Sequence, residues 1–273
     1  MTALARPWPA AGGLFPVSAF DPVHVGMHEL GADVTVDFND RPGMVIGGEP
    51  GSGKSSMVNL LTAHGAMSYD CRLTLIDGQW VELGPWRTCA DTFVGPRIGD
   101  AIAAFEHLQA VIDERCELLL DTGRRKVVKG MDLDAHLVVV DEFAFFSATV
   151  GTKTDRDKFN TAARDVAARG RKCAVWLILA TQRPSSQIVD TALRDLFGYR
   201  CAFRCTTSAS SDIVLGHGWA ANGYDASLID PLARGVAWLL AEDGLPRRIK
   251  VAYLDDGQVA ALARRAAILR GRS

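Results

Sequence analysis

The sequence predicts an α/β protein with a mainly parallel central β-sheet and helices on both faces. Two runs, residues 137–140 and 174–180, are apolar at every position, the pattern of strands buried on both sides. Stretches with helical periodicity separate such runs, and strands that alternate with helices assemble into parallel sheets. A glycine-rich segment, residues 48–55, stands where one strand gives way to a helix. Of 273 residues, 48% are apolar and 23% charged, which suits one substantial core and excludes a disordered or fibrous chain.

The elements follow in order. Residues 1–30 are rich in Pro, Gly and Ala and hold Trp8, Phe15 and Phe20, so they read as an arm docked by a few aromatics. Val34, Val36 and Phe38 alternate as a strand, residues 39–43 read as a turn, and residues 44–47 begin a second strand. Met57, Leu60, Leu61 and His64 recur at helical spacing until Gly65. Residues 73–76 form a strand that ends at Asp77. Asp100 can cap a long helix with the apolar stripe Ile102, Phe105, Leu108, Ile112, Cys116 and Leu119, and Gly123 lies just past its end. A strand at 137–140, a helix at 156–168 and a strand at 174–180 complete the pattern.

The longest apolar stretch, residues 173–180, is far below the ~18–20 residues that cross a bilayer. The first twenty residues lack the apolar segment of a signal peptide, so a cytoplasmic protein is expected. Six cysteines without a C-x-x-C pair, and a His24/His28 pair with no cysteine nearby, read as reduced core residues rather than a metal site. Cys201 and Cys205 are expected on one face of one strand. Net charge is −2, yet ten Lys/Arg face four Asp between Arg156 and Arg204. Residues 122–130 hold four Lys/Arg and no acid, and from Arg247 onward seven Lys/Arg face two Asp. Such local patches suit a polyanion.

Gly48, Glu49, Pro50, Gly51, Ser52, Gly53, Lys54 and Ser55 fit G-x-x-x-x-G-K-[ST] in the strand-to-helix context that this motif requires. The glycines let the loop curl so that N–H groups from Gly51 to Ser56 point at phosphate oxygens, and the helix start adds positive potential. Lys54 is placed to reach the β- and γ-phosphates, and the Ser55 hydroxyl to complete Mg²⁺ coordination. The apolar strand at 137–140 ends in Asp141 and Glu142. Two adjacent carboxylates at a buried strand end are unfavourable unless a cation or substrate uses them. Asp141 suits a magnesium ligand acting through water, and Glu142 suits a base for the attacking water. The strand at 174–180 delivers Thr181 and Gln182 to the same sheet edge, which makes Gln182 a γ-phosphate sensor candidate. Asp77 fits either a supporting or a purely structural part.

These residues, read together, resemble the motor domain of the FtsK/SpoIIIE family of DNA translocases. The likeness runs through Gly47 to Ser55, Leu75-Ile76-Asp77 with Val81-Glu82-Leu83, Val138 to Ala144, and Gly170-Arg171 leading to Ala180-Thr181-Gln182-Arg183-Pro184-Ser185. It covers residues 22–254, and the last run is its most specific part. The resemblance implies a RecA-like P-loop NTPase fold, ATP with Mg²⁺, and a ring of copies, expected to be a hexamer, that moves on double-stranded DNA. It also implies an arginine finger reaching the neighbour's nucleotide; by position Arg171 is the candidate, with Arg169 and Arg183 behind it.

Two positions depart from the family pattern. Asp77-Gly78-Gln79 stands where the chromosome translocases have Asp-Pro-Lys, and Asp212 stands where an Arg is usual. The expected division is an arm (1–30), the motor domain (31–254) and a basic C-terminal helix or tail (255–273). With no sequence-reading module, coupling domain or membrane anchor expected, the chain suits compact transfer proteins of actinobacterial plasmids and integrative elements, recruited by a separate partner at the membrane or on DNA. A type VII-like secretion ATPase that moves protein is the alternative, and it would call for tandem ATPase domains. A non-hydrolysing structural partner would lack Lys54, Asp141 or Glu142, and all three are present.

Overall fold

The computed structural model describes residues 17–242 and 244–272. Trp8 and Phe15 lie outside the described residues. The strands are β1 (Val23–His28), β2 (Asp33–Val36), β3 (Met44–Gly47), β4 (Cys71–Asp77), β5 (Thr92–Val94), β6 (Ala135–Asp141), β7 (Val175–Thr181), β8 (Tyr199–Phe203), β9 (Val236–Ala241) and β10 (Arg247–Val251). Among the described residues they form one 10-stranded sheet in the order β2-β1-β10-β9-β8-β3-β7-β6-β4-β5. From β8 through β5 every neighbour is parallel. From β8 outward through β9, β10, β1 and β2 every pair is antiparallel.

β3 and β7 are buried along their whole length, which is why both read as unbroken apolar runs. Gly47 pairs with Thr181 and Asp77 with Asp141, so the polar residues that end these strands share one edge. The helices are α1 (Lys54–Met67), α2 (Ile98–Asp121), α3 (Lys153–Gly170), α4 (Thr191–Arg194), α5 (Ser208–Leu215) and α6 (Asp256–Leu269). The connection β3–α1–β4 crosses the sheet in one direction and β6–α3–β7 in the other. Right-handed crossovers therefore put α1 and α3 on opposite faces, where α1 packs with α6 and α3 with α2.

Several expectations need correction. The sheet begins at Val23, inside the segment read as an arm, and Phe20 is buried edge-on against Trp176 at 5.4 Å. Gly26 and two histidines break the apolar alternation of β1, which hid it. Of the helix or tail expected for the last segment, the structure shows the helix: α6 opens with a capping box of Asp255 and Gln258. Its far end is tied by Arg270 to Asp91 at 2.7 Å and to the Gly65 carbonyl at 2.7 Å. The α2 N-cap is Arg97, with Asp100 one turn inside. The buried face of α2 carries Ala101, Phe105, Leu108, Ile112, Arg115 and Leu119, whereas Ile102 is half-buried and Cys116 exposed. Arg115 turns inward because its guanidinium donates to the Cys173 carbonyl at 2.6 Å and the Asp134 carbonyl at 2.5 Å. Cys205 lies beyond the end of β8, so it does not share a strand face with Cys201.

Candidate functional site

The glycine-rich loop leaves β3 and curls into α1 at the carboxyl edge of the sheet. Lys54, only 8% exposed, folds back so that its ammonium donates to the Glu49 carbonyl at 2.9 Å. Ser52 Oγ donates to the same carbonyl at 2.7 Å. Burial pushes the Lys54 pKa below its ordinary value, opposed by Glu142, Asp141 and Glu82. A desolvated cation whose partner is a single carbonyl, with open space before it, suits an incoming phosphate, which would replace that carbonyl. The segment that enters β9 braces the loop from behind, since Gly235 N–H donates to the Ser52 carbonyl at 2.8 Å. Gly53 has φ +115°, and a β-carbon there would lie 2.6 Å from the Gly235 backbone, so only glycine fits. Glu49 is ion-paired with Arg204, and its N–H donates to the Arg204 carbonyl at 2.9 Å, which anchors the loop to the chain after β8.

Beside the loop, β6 and β7 end together. Glu142 follows β6 with φ 51°, a left-handed conformation rare for a residue with a β-carbon. Its carboxylate, 9% exposed, accepts from Thr181 Oγ1 at 3.0 Å and from the Gln182 N–H at 3.0 Å. The strained backbone and the two donors hold one orientation. Asp141 has its pKa raised to about 7 by burial first, then by Glu82, Asp77 and Glu142, against the lowering effect of Lys54. A carboxyl this uncomfortable as an anion fits a divalent cation at the loop, with Ser55 as the second ligand available.

Asp77, fully buried, is structural. It accepts the N–H groups of Gln79 and Trp80 at 2.8 and 2.9 Å and of Leu83 at 2.9 Å. That cage turns residues 78–83 back toward the sheet edge and delivers Glu82 to the cleft. Asp212, the other departure from the family pattern, organises a loop by accepting from Gly218 and Ala220 N–H, each at 2.8 Å.

The loop and these strand ends enclose a cleft of about 500 Å³. Pro50, Gly51, Gly53, Lys54, Ser55, Ser56, Asp141 and Gln182 line it, while Gly48, Glu49, Ser52 and Glu142 are not among its lining residues. Arg171 does not join them. It follows α3 at the amino end of β7, on the opposite sheet edge, and pairs with Glu242 at 3.0 Å. Arg169 is held by Asp165 and Asp113. Sequence reasoning did not assign Glu82, Arg234 or Tyr253 to the site, and it gave Lys250 to a polyanion patch; all four line the cleft. The available signal was the acid five residues beyond Asp77. No pattern in the sequence brings β10 to this edge.

A phosphate loop after a central parallel strand, with an acidic strand end beside it, defines the P-loop nucleoside-triphosphatase class. Residues 20–136 match the model of the FtsK/SpoIIIE family, and the chain carries a domain of this family of P-loop ATPases. It is 28% identical over 207 residues to the DNA translocase SftA of Bacillus subtilis (strain 168), covering 70% of this chain and 21% of that one. It is 30% identical over 212 residues to the DNA translocase FtsK of Borreliella burgdorferi, covering 71% and 26%. The chain thus spans about a fifth to a quarter of the length of these relatives. Among solved structures, the pCW3 conjugation coupling protein TcpA, a monomer form with ATPγS, superposes with a TM-score of 0.79 at 20% identity, covering 97% of this chain and 73% of that one. ATPases 2 and 3 of EssC from Geobacillus thermodenitrificans follow with 0.76 at 16%, covering 94% and 50%. At these identities the likeness is one of fold.

Proposed function

We propose that this chain hydrolyses ATP to move double-stranded DNA, as a ring of copies, in conjugal or mobile-element transfer. The observation that carries the chemistry is Glu142, buried next to Asp141 and clamped by Thr181 and Gln182, while Lys54, Asp141 and Gln182 line the cleft beside it. Lys54 leaves the Glu49 carbonyl for the β- and γ-phosphate oxygens, and the N–H groups from Gly51 to Ser56 take the remaining phosphate contacts. Ser55 and Asp141 hold the magnesium ion, which neutralises phosphate charge when bound. Glu142 takes a proton from the attacking water, and its fixed carboxylate orients that water in line with the γ-phosphate. Gln182, whose N–H donates to Glu142 and which lines the cleft, reports the γ-phosphate.

Arg171 lies too far from its own site to act there, and in a hexameric ring it completes the site of the next subunit. A partner at the membrane or on DNA recruits the ring, which works from the cytoplasm. DNA as the substrate is supported by sequence, because the relatives that are 28–30% identical are named DNA translocases. Fold alone favours neither cargo, since TcpA, named a conjugation coupling protein, and EccC of Thermomonospora curvata, named a type VII secretion ATPase, both superpose; the protein-moving reading stays the second one.

The test is Glu142→Gln beside Lys54→Ala. The first should bind ATP with Mg²⁺ as the native chain does and lose about 10²–10⁴ in hydrolysis rate, the range for a general base. The second should weaken binding itself. Native turnover in Glu142→Gln would remove that residue from the mechanism.

A further inference from the structure

The cleft extends beyond the groups that hydrolysis uses. Everything assigned to the reacting end lies on one flank of β3: Gln182 follows β7, Asp141 ends β6, and Glu82 follows β4. On the other flank the antiparallel extension returns to the same edge. β9 starts there and β10 ends there, with Val236 opposite Lys250 in register. This return brings Arg234, Lys250 and Tyr253 to the cleft. The Lys250 ammonium donates to the Arg234 carbonyl, and burial pushes its pKa down. Tyr253 is 54% exposed, with ring surface free for a ligand. Gly235, between these groups and the phosphate loop, keeps the two halves at fixed spacing through its bond to Ser52.

A nucleoside triphosphate is itself polar end to end. With its γ-phosphate at the Glu142 flank and its β-phosphate on Lys54, its α-phosphate, ribose and base must run toward β9 and β10. Resting on the nucleotide reading above, we infer that Lys250 and Arg234 bind the α-phosphate and that the base stacks on the Tyr253 ring. Stacking reads the face of a base rather than its edge. The site therefore selects purines over pyrimidines and separates adenine from guanine only weakly.

Calorimetric titration of the full chain with Mg²⁺ and non-hydrolysable analogues of ATP, GTP and CTP, alongside inorganic tripolyphosphate, tests this assignment. Native protein should bind the two purine nucleotides within a few-fold of each other and the pyrimidine about tenfold more weakly. Tyr253→Ala should weaken ATP-analogue binding about 5- to 150-fold, the span of base stacking on an aromatic ring, and leave tripolyphosphate unchanged. Tyr253→Phe should restore the native affinity, and Lys250→Met should weaken both ligands. Thermal melting of each variant separates lost contact from lost fold. Native affinity in a folded Tyr253→Ala, equal weakening of both ligands, or failure of Tyr253→Phe to restore binding would overturn the assignment while leaving the phosphate site intact. A native protein that bound neither ligand would instead overturn the nucleotide reading itself.

Discussion

Glu142 combines a left-handed backbone with a buried, doubly hydrogen-bonded carboxylate, and a conformation of that kind costs roughly 1–3 kcal/mol unless its surroundings impose it. Its neighbour Asp141 makes a prediction about pH. Its pKa is about 7 in the fold against 3.8 ordinarily, so between those values the folded chain holds a proton that the unfolded chain has released. In metal-free protein this group's contribution therefore falls as pH rises through that window. Asp141→Asn should raise the melting temperature in EDTA at pH 8 and leave it nearly unchanged at pH 4; no gain at pH 8 would count against the buried charge. His136 works in the opposite sense. Burial first, then Arg115, His107 and Arg72, lower its pKa to about 3, so stability is lost as pH falls from 6.5 toward 3. His136→Gln should flatten the acid limb of the melting profile. The pair Asp141 and Glu142 was legible because an apolar strand leads straight to it. Glu82 was not, since its arrival depends on three N–H bonds to Asp77 that no spacing rule encodes.

At the scale of elements, β3, β6 and β7 were readable because strands buried on both faces leave continuous apolar runs. β1, β9 and β10 were not. They form the antiparallel half of the sheet: histidines and Gly26 interrupt β1, Arg247, Arg248 and Lys250 make β10 look like a surface charge cluster, and β9, though apolar at every position, was passed over. Their consequence for function is the brace behind the phosphate loop. Gly51 and Gly53 both have positive φ, yet a β-carbon on Gly51 meets nothing within 4 Å, whereas on Gly53 it meets Gly235 at 2.6 Å. Gly53→Ala should therefore weaken nucleotide binding and lower the melting temperature distinctly more than Gly51→Ala. Equal effects would mean that the brace yields. α6 offers a second check. Arg270→Ala removes bonds to Asp91 and to the Gly65, Ala66 and Cys71 carbonyls, and should cost about 2–3 kcal/mol in urea unfolding, the scale of a charged hydrogen bond lost.

Over the whole molecule, a net charge of −2 means that any DNA affinity must be local. The fold thins out the basic clusters that the sequence offered. Arg194 and Arg200 both bind Asp195, and Lys126 and Lys129 bind the Asn39 carbonyl and Asp21. Arg124 and Arg125 stay exposed on the loop before β6. Ring assembly makes its own prediction. If Arg171 exchanges Glu242 for a neighbour's nucleotide, Arg171→Ala should bind ATP and lose most hydrolysis. Mixing it with Lys54→Ala, which brings Arg171 to intact sites, should restore activity, and no recovery in mixed oligomers would count against a shared site. The most direct measurement is the steady-state ATP hydrolysis rate with and without duplex DNA of arbitrary sequence, across a salt series. A DNA motor predicts stimulation by any sequence, lost steeply as salt rises with a slope of about −0.9 per phosphate contact, and reduced by neutralising Arg124 and Arg125 together. A rate indifferent to duplex DNA but raised by a protein substrate would contradict it.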